Sequence, residues 1–86
     1  MRFAIFADLL RPITAEEQAA LFAAVDKLIP DSGCVGPNRS GDFEVYFTVD
    51  APTQEAARNA AEGYMSAVLV STSMSLAYVL TLQAQP

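Results

Sequence analysis

Two segments of this chain share one order of residue types. The first reads FAIFADLLRPIT and continues with AEEQAA, and the second reads FEVYFTVDAPT and continues with QEAA. Each begins with apolar residues typical of a β-strand and passes through a proline to a threonine and an acidic first turn, as at a helix N-terminus. The pattern predicts a fold assembled from two interlocked βαβ halves.

The first half predicts a strand over residues 2–9 and a helix that begins at Thr14. Pro12 closes the strand, and Thr14 and Glu17 have the spacing of a capping box, in which each side chain satisfies an otherwise unpaired backbone N–H. Pro30 is expected to end the helix. Five apolar residues recur at helical spacing and are expected to form its inward face: Leu21, Phe22, Val25, Leu28 and Ile29.

The rest of the chain predicts three strands and one helix. A weak strand over residues 33–38 is expected at a sheet edge, because Pro37 donates no ladder hydrogen bond. Residues 43–49 alternate clearly and predict the third strand, and residues 76–82 predict the fourth. A helix is expected over residues 53–70. Its inward face combines small and large apolar residues: Ala57, Ala60, Ala61, Tyr64, Met65 and Val68.

The predicted elements follow the order βαββαβ, which we interpret as a single α+β domain over residues 1–86. Right-handed crossovers then give a four-stranded antiparallel sheet in the order 4-1-3-2, with both helices on one face. At the level of the fold, the whole chain resembles the ferredoxin-like superfold, which includes metabolite-sensing domains, RNA-binding domains and dimeric α+β-barrel enzymes. A shared fold does not confer a shared function.

The balance of charges argues against two kinds of partner. Ten carboxylates outnumber five scattered basic residues and give a net charge of −5. Binding to nucleic acid needs clustered positive charge, and an anionic membrane surface repels an acidic protein, so neither partner is expected. The single cysteine excludes an intramolecular disulfide, and no signal-peptide pattern is present, which together predict a cytoplasmic protein.

The residues that usually perform chemistry are scarce. The chain contains no histidine, which excludes classical catalytic triads and His-containing metal sites. Cys34 lacks a basic neighbour in sequence and is expected to be inert. Asp8 and Glu44 would face each other on the open side of the sheet as an acid/base pair, although solvated strand carboxylates are the commoner interpretation. We predict no catalytic residue, cofactor or metal, and leave an enzymatic activity open as the less favoured possibility.

Alternation along the strands leaves one face of the sheet without helices. Residues expected on that face form an aromatic and small-apolar patch: Ala4, Phe6, Tyr46, Thr48, Val79 and Thr81. Such a patch typically marks an interface, although one-sided sheets also carry scattered Thr, Tyr and Val on a solvated face. A second candidate surface is the hairpin tip that carries Asn38, Arg39 and Asp42.

The stretches ADLLRPITAEE and GCVGPNRSGDFEVYFTVDAPT resemble short uncharacterised proteins of actinobacteria and their phages. This resemblance implies no activity and, for a phage protein, a place in the host cytoplasm and a host protein as partner. Our hypothesis is a non-enzymatic interaction protein that forms a homodimer or binds a protein partner through its open sheet face, with Phe6 and Tyr46 as anchors. The alternative is a small-molecule-binding or enzymatic protein similar to the dimeric α+β barrels, with an apolar cavity between stacked sheets.

Overall fold

The computed structural model describes residues 1–29 and 33–85, which form four strands and two helices in the order βαββαβ. The elements have these bounds: β1 Arg2–Leu9, α1 Ala15–Leu28, β2 Cys34–Pro37, β3 Phe43–Asp50, α2 Gln54–Thr72 and β4 Tyr78–Gln85. The predicted α+β class and element order are confirmed.

The sheet is antiparallel throughout and has the order β2-β3-β1-β4. This is the predicted order 4-1-3-2 read from the other edge. β1 lies between β3 and β4, so its alternate residues define the two faces of the sheet. The residues of β1 that face the helices are all buried: Phe3, Ile5, Ala7 and Leu9.

The hydrophobic core lies between this face of the sheet and the two helices. Phe47 of β3 is fully buried and packs edge-on against Tyr64 of α2, with 5.8 Å between the ring centroids. The inward face predicted for α2 is confirmed, because Ala57, Ala61, Met65 and Val68 are buried while Ala60 and Tyr64 pack partly buried against the core. The alanines have short side chains, so α2 lies close to the sheet.

The inward face predicted for α1 is wrong at Phe22. The buried residues of this helix are Leu21, Ala24 and Val25, and Phe22 is 56% exposed. Successive helical residues are about 100° apart, so a narrow contact strip centred on Leu21 and Val25 turns the adjacent Phe22 outward. Ala24 takes the contact position instead, because its small side chain fits between the helix and its neighbours.

The N-terminus of α1 forms the predicted capping box. The Glu17 backbone N–H donates to the Thr14 hydroxyl over 3.1 Å, and the Thr14 N–H donates to the Glu17 carboxylate over 3.0 Å. Arg11 adds an ion pair to the same carboxylate at 2.8 Å. The hydrogen bond from Arg11, followed by the one from the Thr14 backbone, lowers the pKa of Glu17 to about 2. Pro30, the predicted end of this helix, lies outside the described residues, and α1 is capped at Ile29.

Strand β4 is displaced from the predicted range. Predicted over residues 76–82, it runs from Tyr78 to Gln85, while Leu76 is buried ahead of the strand. The reason is the neighbouring strand, because β1 offers ladder positions as far as Arg2, which pairs with Gln85. Residues 83–85 carry no β-favouring side chains and are held in the sheet by this pairing alone.

Candidate functional site

The open face of the sheet, meaning the side of β1, β3 and β4 that the helices do not cover, brings together the six residues singled out from the sequence. In the register of the sheet, Phe6 lies opposite both Tyr46 and Thr81, and Ala4 lies opposite Thr48. Val79 lies opposite Asp8 at one end of the same face. The alternation of the strands therefore places all six on one surface, and their role in an interface stays a prediction.

Aromatic rings occupy the centre of the open face. The rings of Phe6 and Tyr46 have centroids 5.1 Å apart, within the range of interacting aromatic pairs, and planes tilted by 54°. Both residues are half-buried, and Val79 is 51% exposed. Ala4, in contrast, is only 1% exposed. The accessible apolar surface comes from Phe6, Tyr46 and Val79, and Ala4 contributes almost none of it.

Asp8 and Glu44 lie directly opposite each other where the open face meets the β2–β3 turn. Both are half-buried. Burial, followed by the hydrogen bond and negative charge of Asp8, raises the pKa of Glu44 above its ordinary value. The sequence favoured two solvated carboxylates, and the structure places both side chains at intermediate exposure on the open face.

Asn38 organises the hairpin tip and connects it to β1. Its side-chain carbonyl accepts hydrogen bonds from the backbone N–H groups of Ser40 (2.9 Å) and Asp42 (3.1 Å), and its amide donates to the Asp8 carboxylate over 3.3 Å. Gly41 completes the turn with a φ of +87°, a conformation that favours glycine. Asn38 is thus committed to local structure, whereas Arg39 is exposed and free to reach a partner.

An open groove with a volume of about 940 Å³ connects the tip with the open face. We call it the tip groove. Its lining includes Phe6, Val79 and Thr81 of the predicted patch and Asn38, Arg39 and Asp42 of the secondary candidate. Asp8 and Glu44 also line it, as does Leu10, which is exposed just after β1. Three residues of the predicted patch therefore share one concavity with the hairpin tip, while Ala4, Tyr46 and Thr48 are not part of its lining.

Leu10 and the bridging amide of Asn38 were missed by sequence reasoning. Leu10 has the same parity as Phe6 and Asp8, so continuing the alternation one residue beyond β1 predicts its position on this side. The Asn38–Asp8 hydrogen bond has no comparable signal, because Asn38 lies in the β2–β3 turn and Asp8 lies on β1, which does not pair with β2.

Metal binding finds no support in the part of the chain that the structure describes, since no group of three or more His, Cys, Asp or Glu side chains is close enough to hold an ion. Cys34 is exposed on β2 opposite Tyr46, and a lone thiol does not make a site. Over residues 1–29 and 33–85, neither helix has the length and apolar character needed to cross a membrane.

No family model matches the chain, and no curated protein or solved structure proves similar to it. The resemblance of ADLLRPITAEE and GCVGPNRSGDFEVYFTVDAPT to actinobacterial and phage proteins therefore stays a prediction. No residue of the tip groove inherits a role from a relative. Its function has to be inferred from the side chains that line it.

Proposed function

We propose that this protein is a non-enzymatic interaction module that binds a segment of another protein in the tip groove and on the adjoining open face. One observation carries the proposal: accessible apolar side chains, Phe6 and Val79, lie in the same concavity as the opposed carboxylates of Asp8 and Glu44. An apolar surface next to a defined charge is the arrangement by which interfaces combine affinity with orientation.

The charges of the groove indicate the chemistry of the partner. Asp8, Asp42 and Glu44 line it together with a single guanidinium, that of Arg39. The like charges of Asp8 and Glu44 repel each other across the ladder, and a cation placed between them relieves that repulsion. The partner that fits best carries a Lys or Arg side chain next to an aliphatic or aromatic one.

A second copy of this chain fits the open face less well than such a partner. Each copy carries a net charge of −5, and apposed open faces would bring the Asp8 and Glu44 carboxylates of one copy towards the acidic groups of the other. Like charges brought together at an interface oppose association. Binding to a different, basic partner removes this conflict.

Selection from a displayed library of short random peptides tests the proposal. We expect the enriched peptides to combine a Lys or Arg with an apolar residue. Their affinity should fall at least about tenfold, or 1.4 kcal/mol, in the double variant Asp8→Asn, Glu44→Gln and again in Phe6→Ala. The amide substitutions keep the shape of the side chains, so they report on charge.

Two variants serve as matched controls for this experiment. Asp50→Asn removes one negative charge from the open face outside the groove, and Val70→Ala removes an exposed apolar side chain from α2. Both should bind the selected peptides as the wild type does. Enrichment of peptides without basic residues, or equal weakening by the controls, would contradict the proposal.

The alternative function, a binder of small molecules, is favoured by two features of the same groove. Its volume falls within the range of about 300–1,000 Å³ found for ligand sites, and Glu44 is a polar group with a raised pKa within it. The groove is open rather than enclosed, however, and encloses a small ligand poorly. A fragment library screened by NMR separates the two functions, because the alternative predicts hits that shift the amides of Phe6 and Glu44.

We infer further that the fold is ferredoxin-like and that the protein acts in the cytoplasm. The βαββαβ order and the antiparallel sheet support the fold. A single cysteine, which leaves no intramolecular disulfide to maintain, supports the location. For a phage protein, the basic partner would be a host protein.

A further inference from the structure

The two edges of the sheet are protected to very different degrees. One edge is β2, which has four residues and contains Gly36 and Pro37, both unfavourable for pairing with a further strand. The other edge is β4, whose eight residues YVLTLQAQ contain no proline and no charge. A long, uncharged edge strand is a template for pairing with another strand. The contrast favours β4 over β2 as the edge that accepts a further strand.

The backbone of β4 has hydrogen-bonding groups to offer. The Leu10 N–H donates to the Ala77 carbonyl over 3.0 Å, which fixes the alternation of the β1–β4 ladder. Residues 79, 81 and 83 therefore bond to β1, while the N–H and C=O groups of Leu80, Leu82 and Ala84 point away from it. Outside the ladder, no backbone hydrogen bond within residues 1–29 and 33–85 reaches these three residues.

The core is also incomplete at this edge. Tyr78, Leu80 and Leu82 lie on the helix side of β4 and pack against the core, yet each is only half-buried. The corresponding residues of the inner strands, Ile5 and Phe47, are fully buried. A further strand beside β4 would cover these side chains as well as the free backbone groups.

We propose that two copies of this chain pair through β4 in antiparallel orientation, about a two-fold axis at Thr81. In this register Leu80 lies opposite the partner's Leu82, and Tyr78 lies opposite the partner's Ala84. All of these residues have outward backbone groups, so they form the hydrogen-bonded pairs of the new ladder. The two sheets join into one continuous sheet with the helices of both copies on the same side.

The length of β4 and the position of Tyr78 favour this register over the two registers with axes at the adjacent residues. An axis at Leu82 would pair residues 79–85 and leave Tyr78 outside the paired segment. An axis at Leu80 would shorten the paired segment to residues 78–82. The axis at Thr81 pairs residues 78–84 and sets the two Thr81 side chains against each other, a favourable cross-strand pair.

Because β4 carries no charged side chain, a second copy of the chain can pair with it without charge repulsion along the strand. Each copy has a net charge of −5, yet the ladder formed by residues 78–84 brings no charged side chain of one copy opposite one of the other. Two-fold symmetry makes the neutral strand complementary to itself. This pairing does not rest on the proposed function, and it places the partner's Gln83 and Thr81 beside Val79 and Thr81, which line one side of the tip groove.

Amide hydrogen exchange measured over a range of protein concentrations tests the pairing directly. In a single copy the amides of residues 79, 81 and 83 are protected by β1, and those of Leu80 and Leu82 exchange freely. We expect the exchange of Leu80 and Leu82 to slow at least about tenfold with rising concentration, as the solution mass from light scattering doubles. Free exchange of these two amides at every concentration, or a mass that stays at one copy, would overturn the proposal.

Substitutions separate this edge from the open face. Ala84→Pro removes an outward N–H without touching the β1 ladder, and we expect it to reduce the dimer, whereas Phe6→Ala should leave the dimer intact. Dissociation by Phe6→Ala with no effect of Ala84→Pro would place the contact on the open face and overturn the edge pairing.

Charge reversal at the axis provides a test that does not depend on proline. Thr81→Lys and Thr81→Glu each set like charges directly opposite each other and should be monomers, while an equal mixture of the two should restore a dimer. The control Gln83→Lys places its charge opposite the partner's Val79 and should dimerise as the wild type does. A Thr81→Lys variant that remains a dimer would contradict the register.

Discussion

Phe47 and Phe6 lie on neighbouring strands but on opposite faces of the sheet, and each packs against a tyrosine. Phe47 is fully buried against Tyr64 under α2, whereas Phe6 is half-buried against Tyr46 on the side without a helix. The two pairs have ring separations of 5.8 Å and 5.1 Å and interplanar angles of 78° and 54°, so the two rings of each pair lie within contact of each other. Coverage by a helix, rather than the aromatic pair itself, decides which pair serves stability and which remains available for binding.

Truncation of the two phenylalanines should give the largest contrast. We expect Phe47→Ala to lower the free energy of unfolding by about 3–5 kcal/mol, because it opens a cavity in the core. Phe6→Ala should cost about 1 kcal/mol, roughly the contribution of one aromatic pair at a partly exposed site. Urea denaturation followed by circular dichroism measures both. Phe47→Leu serves as a milder variant if Phe47→Ala does not fold, and equal losses at positions 6 and 47 would contradict the comparison.

Substitution of Gly33 and Gly36 by alanine should show a smaller difference in stability between a packed and an open position. A Cβ atom at Gly33 would lie 2.8 Å from Val25 Cγ1 in the core, whereas one at Gly36, opposite Glu44, would meet nothing within 4 Å. Gly33→Ala should therefore cost about 1–3 kcal/mol through overpacking. Gly36→Ala should change stability by no more than about 0.5 kcal/mol. Thermal unfolding compares them, and a harmless Gly33→Ala would show that Val25 gives way easily.

The smallest expected effect concerns the charge on the open face. A carboxyl group whose folded pKa is raised binds its proton more tightly in the folded state, so stability falls as the pH rises from the unfolded value of 4.5 through the folded one. Glu44→Gln removes this loss and should be more stable than the wild type by about 0.5 kcal/mol at neutral pH. The gain should vanish well below pH 4.5, where Glu44 is protonated in both states.

Asp50→Asn is the matched control for this pH dependence. Asp50 lies on the same strand and face as Glu44, but it faces Arg2 across the ladder instead of a second carboxylate. Its removal relieves no repulsion and should give no gain at neutral pH. Denaturant midpoints measured from acidic to neutral pH report the difference in stability between each variant and the wild type. The loss of stability that Glu17 causes at low pH is common to all of them and cancels in this difference. A gain from Glu44→Gln that persists at low pH would exclude charge as its cause.

Local signals in the sequence predicted much of the fold. The alternation of residues 43–49 and the spacing of Thr14 and Glu17 depend on neighbours within a few positions, and both predictions are confirmed. The C-terminal end of β4 was missed because Gln83 to Gln85 take their conformation from a strand at the far end of the chain. Phe22 was misplaced because its exposure depends on how wide a strip of α1 the neighbouring elements contact.

In the candidate site, too, local signals predicted residue positions, whereas features that depend on distant segments were missed. The alternation of side chains along a strand was enough to place four residues on one face, since a period of two is a property of any strand. These residues are Phe6, Tyr46, Thr81 and Val79. The tip groove was not predicted, because it depends on the β2–β3 turn lying beside Asp8 through the amide of Asn38. The raised pKa of Glu44 follows from that same enclosure and has no signature in sequence.

The pairing of β1 with β4 also determines when the chain can fold. A ribosome makes β1 well before β4, yet the two strands are neighbours along their whole length, from Arg2 with Gln85 to Leu9 with Tyr78. Contacts between such distant segments have a high entropic cost of closure and slow the folding rate. Until β4 is made, β1 lacks its partner on one side, so we expect the β1–β4 ladder to close late in folding.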